Sequence, residues 1–266
     1  MFWGIRGGGC NFGCVTEFVY KLYPQRRTVL AGPLVYPPPL LSAVTSALQA
    51  WYPNASEDEG IIVATTTKGP MGGPVVVVNI FFNGEEAEGR QRFSKFFELG
   101  PVLDAVSMIP YEALNGLHNA TIPYGINYHL NGTSRGPRGV TPEMSATLMN
   151  QLIATASAPG ASAPEGVTPT MTLLWEFYNM KKLSSVAPDA TAFRMRVPHP
   201  LITMLITWDG DSPEATADAK ERLSGYKRFA EGALKDSFEG GEKGENDTGY
   251  GNNGEWKFLV RVSTEY

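Results

Sequence analysis

The sequence contains little of what metal-binding or disulfide-stabilised proteins need. It has two cysteines and three histidines among 266 residues. Cys10 and Cys14 have three residues between them in a glycine-rich stretch, and the histidines are scattered along the chain. A zinc site needs close pairs of ligands, and a disulfide across so short a strand entry would strain its extended geometry. We therefore predict no metal site and interpret the two cysteines as small, partly buried thiols.

Positive charge and long apolar runs are also scarce. The 22 Lys and Arg residues are outnumbered by 27 Asp and Glu residues, which gives a formal net charge of -5. The basic residues form no stripe of the kind that binds nucleic acid, and no apolar run reaches the roughly 20 residues that a membrane-spanning helix needs. The sequence therefore predicts neither a nucleic-acid partner nor a membrane span. With 42% hydrophobic and 18% charged residues, its composition is that of a globular protein.

The sequence carries a mild excess of N-x-S/T sequons over chance. These four sequons begin at Asn54, Asn119, Asn131 and Asn246. Three of them fall in stretches that we interpret as loops, where glycan acceptors of secreted proteins are found. The sequons lean towards a secreted glycoprotein and leave the compartment of the chain itself open.

The hydrophobic pattern switches between strand and helix periods along the chain. It predicts strands over residues 14–22, 60–67, 74–82, 100–110, 170–179, 190–197 and 201–208. It predicts helices over residues 40–52, 84–99, 111–117, 141–156 and 213–234, and a loop over 119–140. Several neighbouring strands are joined as hairpins are. This order indicates an α+β fold, in which an antiparallel sheet is flanked by helices.

A cluster of glycines near the amino terminus is the most unusual local feature. Gly7, Gly8, Gly9 and Gly13 do not match the G-x-G-x-x-G dinucleotide fingerprint, and a predicted strand follows them instead of a helix. Two interpretations remain. The cluster is either a glycine-rich turn between strands or a place where the backbone closely approaches a large flat ligand.

The stretch from Trp3 to Pro24, "WGIRGGGCNFGCVTEFVYKLYP", resembles a segment of a known flavoprotein family. It is similar to the W-A-L-R-G-G-G-G-N-F-G-V-V-T-E-F segment of berberine-bridge-enzyme-like FAD-linked oxidases. These belong to the vanillyl-alcohol-oxidase superfamily, whose FAD-binding domain is of the PCMH type. Residues 81–115 and 173–196 resemble the substrate domain of that family, and Tyr250–Asn252 resembles its Y-x-N motif.

The resemblance implies three segments. Residues 1–25 correspond to the terminal strands of the FAD-binding domain, residues 26–245 to the substrate domain, and residues 246–266 to a truncated or divergent flavin-contacting segment. The rest of the FAD-binding domain, including the residues that attach the flavin covalently, would precede Trp3. We therefore expect a carboxy-terminal part of a larger flavoprotein that is poorly soluble and inactive by itself. Covalent attachment of the flavin stays open.

The same resemblance implies the residues of a site. Its FAD-contacting backbone corresponds to Gly7, Gly8, Gly9, Asn11, Phe12 and Gly13, joined by Tyr250 and Asn252. Tyr250 is the first candidate for a catalytic base, although a phenol with an ordinary pKa of about 10 would need that value lowered. Glu176 is a second catalytic candidate and Arg194 a candidate substrate contact. Both lie on predicted strands, where charged side chains also commonly face solvent.

The predicted function is FAD-dependent oxidation of a small alcohol-bearing substrate, such as a sugar or a secondary metabolite. In such a reaction a base takes the hydroxyl proton, the adjacent carbon gives hydride to the flavin, and molecular oxygen reoxidises it. Two alternatives stay open. The chain is then either a non-catalytic α+β module that binds a ligand or a partner chain, or the product of a truncated gene.

Overall fold

The computed structural model describes residues 1–9, 11–119, 124–133, 140–163, 169–193, 196, 201–209 and 211–234. Its strands are β1 (Thr28–Tyr36), β2 (Glu59–Thr66), β3 (Val75–Phe82), β4 (Leu103–Asp104), β5 (Ser107–Pro110), β6 (Asn127–Thr133), β7 (Thr170–Tyr178) and β8 (Leu201–Trp208). Its helices are α1 (Phe2–Ile5), α2 (Leu41–Trp51), α3 (Glu86–Arg92), α4 (Ser94–Glu98), α5 (Pro142–Ser157), α6 (Lys181–Ser184) and α7 (Pro213–Leu234). Short 3-10 turns cover Pro38–Leu40, Tyr52–Asn54 and Tyr111–His118.

The strands form one antiparallel sheet. Their order is β4-β1-β3-β2-β7-β8-β6, and β5 also pairs with β1. Every strand pair is antiparallel. The predicted α+β class, an antiparallel sheet flanked by helices, is therefore confirmed.

The centre of the sheet is the hairpin of β2 and β3. Its turn closes with a hydrogen bond from Gly69 N–H to Gly73 O at 2.7 Å, and Gly72 takes a φ of +89° that favours glycine. The register then places Thr66 opposite Val75. This hairpin was predicted, because two apolar runs flank a glycine-rich connection.

One face of the sheet is covered by α2, α5 and α7 and forms the core. Each helix contributes a stripe of buried apolar residues at helical spacing, for example Leu148 and Leu152 on α5. The strand side chains that pack in this core include Leu30, Leu34, Ile61, Val63, Val78, Ile80, Met171, Leu173, Met204 and Ile206. The opposite face is called the open face below. On it, strand pairing places Glu176 beside Ile62, and Ile62 beside Asn79.

Two strands were missed by the sequence pattern. Strand β1 contains Gly32 and Pro33, which are residues that interrupt strands. They fit because the chain folds back beside them, with Ala105 N–H donating to Pro33 O at 3.0 Å. Strand β6 lies at the edge of the sheet inside the stretch that we expected to be a loop, and its polar sequence hides its pairing with β8.

Three predicted strands differ in the structure. Residues 14–22 are exposed and form no strand, because a strand needs a partner for its backbone groups and none pairs with them in the described chain. Cys14 is consequently an exposed thiol and not a partly buried one; Cys10 lies outside the described residues. The stretch 100–110 divides into β4 and β5, and the described residues among 190–197 form no strand.

Candidate flavin-contacting turn and open-face carboxylate

The glycine cluster forms a compact turn around Phe12. We call residues 2–13, without Cys10, the amino-terminal turn. Gly8 packs so closely on the Phe12 ring that a Cβ there would lie 2.4 Å from the ring atom Cε2. Asn11 Nδ2–H donates to Gly8 O at 2.7 Å and closes the turn. The glycine-rich stretch thus forms a turn, but the turn follows helix α1 and does not lie between two strands as expected.

Three residues of this turn have to be glycine because of their backbone conformation. The φ angles are +124° at Gly7, +67° at Gly9 and +116° at Gly13, a region that other residues rarely adopt. The backbone at Gly9 and Gly13 is exposed, and no atom lies within 4 Å of where a Gly13 Cβ would be. The backbone at these two glycines is therefore accessible to a flat group such as a flavin ring.

The amino-terminal turn docks on the chain between β7 and β8. We call residues 179–200 the β7–β8 connection, of which 179–193 and 196 are described. Four hydrogen bonds join the two segments: Trp3 Nε1–H to Asp189 O at 2.6 Å, Arg6 Nη2–H to Ala190 O at 3.3 Å, Ala192 N–H to Trp3 O at 3.2 Å and Phe193 N–H to Arg6 O at 3.1 Å. The connection starts directly after β7, at the strand end that carries Glu176.

Glu176 lies half-buried on the open face, beside a tyrosine. Tyr178 O–H donates to Glu176 Oε2 at 3.1 Å, because residues two apart on a strand share a face. The Tyr178 ring lies over Gly60 of the neighbouring strand, where a Cβ would stand 3.4 Å from ring atom Cδ1. Sequence reasoning found Glu176 and missed Tyr178, although the i, i+2 spacing carried the signal.

The neighbouring carboxylate affects the protonation of Tyr178. Partial burial and the adjacent Glu176 carboxylate raise the pKa of Tyr178 above that of free tyrosine. Tyr178 therefore stays protonated at neutral pH and serves as a hydrogen-bond donor. Glu176 is the hydrogen-bond acceptor of the pair.

The remaining predicted site residues lie outside the described residues. These are Arg194, Tyr250 and Asn252, together with the whole segment 246–266. Their roles therefore stay predictions. Phe193, the residue before Arg194, is described, and its backbone N–H donates to Arg6 O in the amino-terminal turn.

The described ranges contain neither a metal-binding cluster nor a membrane-spanning helix. Among those residues, no three His, Cys, Asp or Glu side chains come together in a way that could hold a metal ion. No helix in the same ranges is both long enough and apolar enough to cross a membrane.

Comparisons with known proteins point to one class. No family model matches the chain. An FAD-linked oxidoreductase of Dictyostelium discoideum is 33% identical over 133 residues, which is 50% of this chain and 28% of that protein. The FAD-linked oxidoreductase aurO of Gibberella zeae is 29% identical over 202 residues, covering 75% of this chain and 37% of that protein.

Several solved structures share this fold. BBE-like 28 of Arabidopsis thaliana matches with a TM-score of 0.67 at 16% identity, covering 96% of this chain and 51% of that one. A chitooligosaccharide oxidase matches with a TM-score of 0.65 at 15% identity, covering 88% and 49%. The chain thus spans about half the length of these structures and less of the curated relatives it matches.

The sequence similarity to FAD-linked oxidoreductases and the fold shared with BBE-like structures support the same interpretation. The predicted resemblance to berberine-bridge-enzyme-like FAD-linked oxidoreductases is confirmed, and so is FAD as the cofactor of that class. The described chain supplies the helix-flanked antiparallel sheet of this fold, with the amino-terminal turn docked beside it.

Proposed function

We propose that this chain forms the substrate side of an FAD-dependent oxidase that acts on a small alcohol-bearing molecule, such as a sugar or a secondary metabolite. The observation that carries the proposal is the half-buried Glu176 carboxylate on the open face, hydrogen-bonded to Tyr178. The hydrogen bond from Tyr178 orients the carboxylate, and the neighbours paired with Glu176, Ile62 and Leu201, are apolar, so the remaining oxygen is available to accept a hydroxyl proton.

Each residue has a defined role in this proposal. Glu176 accepts the proton of the substrate hydroxyl, and Tyr178 keeps the carboxylate oriented. When bound, FAD supplies the hydride acceptor, and molecular oxygen is the final oxidant. The amino-terminal turn holds the flavin through its exposed backbone at Gly9 and Gly13. Arg194 contacts the substrate, and Tyr250 and Asn252 approach the flavin, with Tyr250 as the alternative base.

The proposal includes a further FAD-binding half that completes the site. The support comes from residues 14–23, where several apolar side chains are exposed although their pattern is that of a strand. Their exposed fractions are 62% at Phe18, 87% at Val19, 72% at Tyr20, 88% at Leu22 and 72% at Tyr23. A surface of this kind favours association. We propose that the chain without this half is inactive.

The first test is the visible absorption of the protein purified from its source, followed by hydrogen peroxide release with a panel of sugars and aromatic alcohols. We expect a yellow protein with two flavin bands and oxygen-dependent turnover of at least one alcohol. A protein that is colourless, and stays so after FAD is added, would overturn the proposal.

The second test addresses the role of Glu176. Glu176→Gln is expected to lower kcat by about 10²- to 10⁴-fold, as loss of a general base does. The exposed carboxylate Glu112 offers a matched control, and Glu112→Gln should leave kcat unchanged. Equal kcat values for Glu176→Gln and the unaltered protein would remove Glu176 from the reaction and favour Tyr250.

A non-catalytic binding module is the second candidate function. It is favoured by the same exposed apolar residues between 14 and 23, which suit a partner chain. The two candidates differ in one observable. A binding module binds its partner with no flavin present and releases no hydrogen peroxide with any alcohol.

A further inference from the structure

The amino-terminal turn and the β7–β8 connection are far apart in sequence and joined in the fold. Trp3 and Asp189 are separated by 186 positions, yet the indole N–H and the carbonyl oxygen are 2.6 Å apart. On the other side of the joint, Ala192 N–H and Phe193 N–H donate back to the carbonyls of residues 3 and 6. Donors and acceptors are thus exchanged in both directions, which fixes the register of the two segments.

Gly7 determines whether this joint can form. A Cβ at Gly7 would lie 2.3 Å from the backbone nitrogen of Phe193 and 2.5 Å from its Cβ. Real Cβ atoms do not approach backbone atoms this closely, so any larger residue must push the two segments apart. Gly13 has a similar φ but open space around it. The absence of a side chain at Gly7 is therefore needed for contact with Phe193, in addition to the φ angle of the turn.

We infer that Trp3, Arg6 and Gly7 are positioning residues: they dock the amino-terminal turn on residues 189–193 and so hold the substrate side of the site in register with the backbone that approaches FAD. The inference rests on the proposed function. The turn carries the exposed backbone of Gly9 and Gly13. The docked connection begins after Tyr178 and leads from Phe193 into Arg194.

A joint of this kind couples the two halves of the site. Consider a ligand that binds the amino-terminal turn only while the turn is docked on residues 189–193. Such a ligand makes separation of the two segments less frequent. The coupling is reciprocal, so a ligand that orders the connection also strengthens binding at the turn. Loss of the joint weakens substrate binding, because the connection then has to be ordered when the substrate arrives.

Hydrogen exchange of the chain without cofactor tests the joint directly. Gly7→Ala should accelerate exchange at the amides of Ala192 and Phe193 by about tenfold or more, since their acceptors at residues 3 and 6 move away. Gly13→Ala is the matched control for the φ requirement and should leave both amides protected. Equal exchange in the two variants would overturn the inference and leave the proposed function untouched.

Kinetics of the FAD-loaded enzyme test the consequence. Trp3→Phe keeps an aromatic ring and loses the indole N–H, and it should raise KM for the alcohol by about three- to tenfold with kcat within twofold. Gly73→Ala, in the distant β2–β3 turn with open space beside it, should change neither. Faster exchange at residues 189–193 in Trp3→Phe with an unchanged KM would mean that the joint is structural only and overturn the inference. Absence of FAD binding would instead overturn the proposed function.

Discussion

The indole N–H of Trp51 donates a 2.7 Å hydrogen bond to the buried carboxylate of Glu59. The second carboxylate oxygen accepts from Ser56, through both its backbone N–H and its hydroxyl, and from Arg92 at 2.9 Å. This single side chain joins the end of α2, the start of β2 and helix α3. A buried charge is tolerated here because each of its oxygens is hydrogen-bonded.

Glu59→Gln should lower the free energy of unfolding by about 2–4 kcal/mol, because it removes charge-assisted hydrogen bonds and places an amide N–H₂ among donors. Urea unfolding followed by circular dichroism measures this loss. Glu57→Gln is the matched control: it is two residues away and exposed, so its effect should stay within about 0.5 kcal/mol. Equal losses in both variants would contradict the role of the buried network.

The free energy of unfolding should fall on acidification, because two carboxylates have lowered pKa values in the folded chain. Burial acts to raise the pKa of Glu59, but hydrogen bonds from Ser56 and Trp51 and the Arg92 charge outweigh it and hold the pKa below its usual range. For Asp218, burial is likewise outweighed by hydrogen bonds from Ser162 and Arg222, so its pKa is also lowered. The unfolded chain therefore takes up these protons first as the pH falls.

The stabilisation from these lowered pKa values is fully present above the ordinary carboxylate range and is lost below it. We expect the free energy of unfolding to decline between about pH 5 and pH 3 in urea titrations. Glu59→Gln should decline less over the same interval, since it lacks one of the two groups. An identical decline in the variant would show that Glu59 does not contribute.

Asp218→Asn should destabilise the chain because Arg222 is buried. The Arg222 side chain is 6% exposed, and its Nε–H donates to Asp218 Oδ2 at 2.8 Å. Removing the counter-charge leaves a buried cation, at a cost of about 2–4 kcal/mol after allowance for the partial exposure of Asp218. Thermal unfolding measures the loss.

The same helix offers the control for this ion pair. Glu221 pairs with Arg228, and both side chains are largely exposed, at 73% and 66%. Glu221→Gln should cost less than about 1 kcal/mol, as exposed ion pairs do. A loss as large as that of Asp218→Asn would mean that burial does not set the strength of these pairs.

Glycan occupancy should follow exposure and not the sequon alone. Asn54 and Asn119 are exposed, whereas Asn131 is 1% exposed on β6 and its Oδ1 accepts from Gly132 N–H. When the chain is directed through the secretory pathway of a yeast host, folded material should carry glycans at Asn54 and Asn119 and none at Asn131. Peptide mapping after enzymatic deglycosylation gives the occupancy, and a glycosylated Asn131 would contradict the position of β6.

Strong local patterns were the part of the fold that could be predicted. The β2–β3 hairpin, β8 and α7 follow from apolar periodicity. Helix α5 begins close to its expected start, directly after Thr141, whose hydroxyl caps it by accepting from Met144 N–H at 3.2 Å. Strand β1 could not be predicted, because Gly32 and Pro33 contradict strand propensity. They are accommodated only because the backbone of residues 105 and 106 packs against them.

The sequence by itself indicated the resemblance to FAD-linked oxidoreductases and the glycine-rich turn, because both depend on contiguous residues. Tertiary structure alone decided what that turn docks on and which side chain holds Glu176. Gly7 packs against Phe193, and the Tyr178 ring lies over Gly60. Such contacts depend on how the sheet is ordered, and hydrophobic periodicity reports the burial of a residue without naming the distant residue that buries it.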